Sequence, residues 1–117
     1  MKKNLLLLVL TICASFTLSA QVTIDPSPVS VDNITAADTD VPAHSTMTNN
    51  ATEERTYLWE RHVMSITDGW ESAVCDKNNC YFPGVGSKEV TLAADEEGTM
   101  DIHVYPNGFE GAAVIMM

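Results

Sequence analysis

The sequence predicts an all-β protein, an antiparallel β-sandwich of about seven strands, on three observations. Short segments with apolar residues at every second position recur along the chain, for example Met100, Ile102 and Val104. Clusters of Gly, Pro, Asn and Asp separate them, such as Thr67-Asp68-Gly69 and Pro106-Asn107-Gly108. No stretch after the first twenty residues favours a helix over a strand. The pattern is clearest from Gly69 to Met117.

Residues 1–20 read as an export signal: Met1-Lys2-Lys3 supplies the positive start, Asn4 to Leu18 the apolar run, and Ser19-Ala20 the small residues at its end. The run is shorter than the roughly 20 apolar residues a permanent membrane anchor needs. Cys13 lies inside this signal without the small residue that usually precedes a lipidated cysteine, so a lipoprotein is not the expected form. Residues 21–42 are rich in Asp, Thr, Ser and Pro, with Pro26 and Pro28 denying a helix; they are expected to form an arm or an edge strand using Val22 and Ile24 or Val29 and Val31. Asn33-Ile34-Thr35 and Asn50-Ala51-Thr52 match the N-glycosylation pattern, but in a chain of bacterial appearance the matches are read as chance.

Residues 43–117 are expected to form the sandwich itself. Ala43 to Asn49 gives a polar strand ending in an Asn-rich turn. Arg55 to Ile66 carries apolar residues at both helical and strand periods, and its aromatic and β-branched content, with a turn directly after it, favours a strand. Tyr57, Trp59 and Val63 would share a face, with Trp59 as the core tryptophan. Trp70 to Cys75 alternates, with Trp70, Ser72 and Val74 on one side and Glu71, Ala73 and Cys75 on the other. Lys88 to Ala93 points Val90 and Leu92 inward, and Thr99 to Tyr105 points Met100, Ile102 and Val104 inward against Asp101, His103 and Tyr105. The final run from Gly111 starts a strand with no polar residue after it, which predicts that the natural chain continues past Met117.

Once the signal is removed, four basic residues (Arg55, Arg61, Lys77, Lys88) face sixteen acidic ones, a formal charge of −12. Such a surface repels phosphate backbones and anionic lipid, so no nucleic-acid partner and no stable membrane insertion are expected. The acidic excess reads as extracellular solubility. Cys75 and Cys80 are the two cysteines left, and in an exported chain such a pair is most simply a disulfide. They bracket Asp76-Lys77-Asn78-Asn79, so they can face each other across a hairpin neck.

Nucleophilic catalysis would need a Ser, Cys or Thr beside a base, and no Gly-x-Ser-x-Gly elbow occurs, so the chain is expected not to be an enzyme and to carry no cofactor. The alternative is a small extracytoplasmic metal-binding sandwich holding copper, zinc or calcium. His44, His62 and His103 fall on separate predicted strands, and the cysteines could add thiolate. A blue-copper pattern of cysteine closely followed by histidine and methionine is absent after Cys80, and structural histidines with no metal ligands are expected. Asp38, Asp40 and Asp95-Glu96-Glu97 lack the spaced oxygen ligands of a calcium loop. Trp70, Tyr81 and Phe82 flank the cysteine hairpin. Exposed, they would form an aromatic contact patch for a protein or glycan. Phe82 is expected to pack under the loop instead.

From about Thr46 to Met117 the sequence resembles secreted bacterial domains linked to the type IX secretion route, which have an immunoglobulin-like β-sandwich. The resemblance is carried by Trp59, Gly69-Trp70, the VCDKNNCY of Val74 to Tyr81, the EEGTMDIHVYPNG of Glu96 to Gly108, and Gly111. It implies a secreted, periplasmic or cell-surface module without a defined enzymatic activity, serving in binding, adhesion or spacing. Its partner would be a surface protein or glycan.

Overall fold

The computed structural model describes residues 20–117, so the export signal expected over residues 1–20 lies, apart from Ala20, outside the described residues. These residues form nine strands and no helix: β1 (Val22–Asp25), β2 (Val41–Ala43), β3 (Thr46–Asn49), β4 (Arg55–Glu60), β5 (His62–Ile66), β6 (Glu71–Asp76), β7 (Ser87–Leu92), β8 (Glu97–Tyr105) and β9 (Ala113–Met116). Every pairing between them is antiparallel.

β8 is the axis of the larger, five-stranded sheet. It pairs along Met100 to Tyr105 with β6, along Glu97 to Thr99 with β3, and along Ile102 to Val104 with β2. β1 adds to the outer edge of β3. The proline-rich stretch of residues 21–42 is therefore anchored at both ends, by β1 and by β2, and the expected boundary at residues 42/43 falls inside β2. Between β2 and β3 the chain departs from the ladder at His44 and Ser45. The Asp101 carboxylate of β8 occupies that gap, accepting the Ser45 N–H at 2.9 Å and lying 2.8 Å from His44 Nδ1.

β4 pairs with β7 and β5 with β9. The single strand expected from Arg55 to Ile66 is broken at Arg61, because the chain changes partner there. The Arg61 N–H donates to the Gly86 carbonyl, and its guanidinium donates to the carbonyls of Ser72 and Pro83. The break resets the alternation, so Val63 is exposed instead of continuing the face of Tyr57 and Trp59.

Met47, Trp59, Val74, Val90, Leu92 and Met100 form one buried cluster. They come from β3, β6 and β8 on one side and from β4 and β7 on the other, so two antiparallel layers share a core. Burying side chains of this size contributes about 1.5–3 kcal/mol each. At the edge of the core, Asn49 is fully buried and fully engaged. Its Nδ2 donates to the carbonyls of Glu53, Leu92 and Ala93, and its Oδ1 accepts from the Ala51 N–H and the Tyr57 hydroxyl. Gly69 closes the Thr67–Trp70 turn at a φ of +86°, with the Phe109 ring 2.7 Å from where a Cβ would sit. Both facts exclude a larger residue there.

Candidate functional site

The hairpin after β6 is fixed from inside by Asp76. Its Oδ1 accepts the N–H groups of Asn78 and Asn79 at 2.8 and 3.1 Å, while its Oδ2 accepts Trp59 Nε1 at 2.9 Å from the opposite layer. The turn itself closes through the Asp76 N–H donating to the Asn79 carbonyl. Cys75 and Cys80 then stand directly opposite each other and are joined by a disulfide. Cys75 is buried, and Cys80 is exposed.

Register decides what surrounds the disulfide. In the β6–β8 ladder Ala73 pairs with His103 and Cys75 with Asp101, so these four side chains share one side of the sheet, where Ala73, Cys75 and Asp101 are buried. A ring nitrogen of His103 and the two sulfurs lie within 4.8 Å of one another. His103 Nδ1 is 2.7 Å from Asp40 Oδ1, and its ring stacks at 6.5 Å on Tyr105. The Tyr105 hydroxyl is held above its usual pKa by burial first and then by the carboxylates of Asp40 and Glu71. The other two histidines stay apart from this group: His44 is committed to Asp101, and His62 lies beside Glu60 on β5.

The three aromatic residues near the hairpin have three different fates. Trp70 is buried and donates from Nε1 to the Phe109 carbonyl at 2.8 Å, which removes it from any surface patch. Tyr81 is half-buried with its ring 5.6 Å from that of Trp59, and burial followed by the Asp76 carboxylate raises its pKa. Phe82, expected under the loop, is 83% exposed. The reason is that Tyr81 already fills the space against the core. The turn closed by the Val85 N–H on the Phe82 carbonyl, with Pro83 tied to Arg61, then directs Phe82 outward.

The acidic turns are occupied by local bonds. Asp38 accepts from the N–H and hydroxyl of Thr35. Glu96 takes Lys77 Nζ at 2.8 Å and the Ala93 N–H, and the lysine above all holds its carboxyl below the usual range. A separate crevice of about 290 Å³ opens between the arm and the strands β8 and β9, lined by apolar groups such as Ile24, Val29, Ile34, Ile102 and Ile115. No titratable side chain lines it.

Sequence reasoning missed Asp40, Asp76 and Arg61 as organising residues. Asp76 carried one usable signal, an aspartate at the start of an Asx-type turn, whereas its bond to Trp59 crosses the core and leaves no trace in local spacing. No protein-family model, curated protein or solved structure matches the chain. Among the described residues no helix is long and apolar enough to cross a membrane.

Proposed function

We propose that the chain is an exported, non-catalytic module with an immunoglobulin-like β-sandwich, which contacts a protein or glycan at the cell surface through the loop that bears Phe82. The reading is supported above all by Phe82 itself, a large aromatic side chain 83% exposed on a rigid support. Exposing a phenylalanine forgoes the roughly 1.5–3 kcal/mol its burial would contribute. The disulfide and Asp76 fix the hairpin just before Phe82, and its own turn is closed by the Val85 N–H on the Phe82 carbonyl and tied to Arg61 through Pro83. A pre-ordered aromatic residue of this kind loses little conformational freedom when a partner covers it. The disulfide and the acidic surface fit an extracytoplasmic setting.

A photo-crosslinking phenylalanine analogue placed at position 82, in protein added to intact cells, is expected to capture a surface component. The same analogue at exposed Leu58 of β4 is the control. Phe82→Ala should change folding stability by less than about 0.5 kcal/mol and abolish competition for that capture. Equal labelling from both positions, or none, refutes the contact role.

A further inference from the structure

The side of β6 and β8 that carries Ala73, Cys75 and His103 holds a group of side chains whose chemistry goes beyond the contact role. Cys75 Sγ, Cys80 Sγ and a ring nitrogen of His103 lie within 4.8 Å of one another. Ala73, directly across from His103, presents only a methyl group, which leaves the imidazole room beside Cys75 two residues along. Asp40 Oδ1 lies 2.7 Å from His103 Nδ1, and the tautomer that donates Nδ1–H to it carries its lone pair on Nε2. A carboxylate on one ring nitrogen is the outer-shell partner that metal-ligating histidines commonly have.

We propose that reduction of the Cys75–Cys80 disulfide opens a zinc-class metal site formed by the two thiolates and His103, with Asp40 positioning the imidazole. Two thiolates and one imidazole are a borderline-soft donor set suited to Zn²⁺. Cys80 is exposed, so solvent reaches the cluster. Ligand atoms around a tetrahedral zinc sit about 3.5–4 Å apart, from bond lengths of about 2.3 Å to sulfur and about 2.0 Å to nitrogen. The cluster spans at most 4.8 Å, so only a small adjustment separates it from that spacing once the S–S bond no longer joins the sulfurs. The hairpin keeps its shape without that bond because Asp76 holds the turn and Trp59 independently.

The reaction needs an exogenous dithiol as reductant. It gives up two electrons and two protons and becomes a disulfide, while the Cys75–Cys80 bond breaks and both cysteines become thiols. Zn²⁺ then displaces two protons to solvent as two Zn–S bonds and one Zn–N bond form. The test is titration of phosphine-reduced, anaerobic protein with Co²⁺ as a spectroscopic probe, followed by Zn²⁺. One ion per chain, with a thiolate-to-cobalt charge-transfer band in the reduced protein and none in the oxidised protein, is the expected result. Asp40→Asn should weaken Zn²⁺ by about tenfold or more, and His103→Ala should weaken it and shift the cobalt ligand-field bands. Near-ultraviolet dichroism of Trp59 and Trp70 follows the fold in each sample. No binding by reduced protein, binding only by unfolded protein, or a His103→Ala variant with unchanged affinity and spectrum overturns the proposal.

Discussion

The Asp76 carboxylate takes three hydrogen bonds, one from the indole of Trp59 and two from the backbone of its own turn. It is 5% exposed, so a side chain that cannot accept would leave the buried Trp59 N–H unpaired. An unsatisfied buried donor costs about 1–3 kcal/mol, and two turn bonds are lost with it. Asp76→Ala should therefore lower the free energy of unfolding by about 2–4 kcal/mol in urea titration. A loss under about 1 kcal/mol would show that water replaces the carboxylate. The neighbouring Tyr81 links the same residue to pH. Burial, then the Asp76 carboxylate, raises the folded-state pKa of Tyr81 above its unfolded value of about 10. The folded protein thus holds the phenolic proton more tightly. The resulting stability is complete below about pH 10 and is lost as pH rises through the higher folded value. Tyrosinate absorbance in Tyr81→Phe should lose one tyrosine's share of the late-titrating component, the rest belonging to Tyr105.

At the scale of the elements, the disulfide closes a very short loop. Chain-entropy reasoning gives it about 2 kcal/mol, which for a domain of this size is roughly 10 °C in melting temperature. Thermal melts with and without reductant should differ by about that amount, with the reduced protein still folding cooperatively. Complete unfolding on reduction would mean that the hairpin depends on its covalent link rather than on Asp76. Other elements show the same division between local and distant causes. Met100 and Val104, expected inward, are buried on β8, whereas Ile102 is only half-buried and Asp101, expected on the opposite side, is buried because it accepts the Ser45 N–H. The break at Arg61 was not legible, because it arises from a change of strand partner and from carbonyls of Ser72 and Pro83 that lie far along the chain. Phe82 was misplaced for a similar reason. Nothing local says that Tyr81, not Phe82, occupies the space beside Trp59.

Across the whole molecule, sixteen acidic side chains outnumber six basic ones, and self-repulsion between them opposes folding. At about 0.15 M salt the screening length falls to roughly 8 Å, so unfolding temperature should rise as sodium chloride is added from near-zero ionic strength. A flat or falling response would mean that the charges are already paired locally, as Glu96 is with Lys77. The sequence by itself determined the all-β class, the inward position of Trp59, Val90, Leu92, Met100 and Val104, and the identity of the cysteine pair. Period-two alternation and turn chemistry are local properties, written residue by residue. Only the tertiary structure decided which side chains of neighbouring strands meet. Cys75 was placed on the Glu71 and Ala73 side of its strand and His103 opposite the core residues of its own, and it is the Ala73–His103 register, with Asp40 arriving from the arm, that brings them together. Register depends on the joint packing of both layers, and no single segment of the chain contains that information.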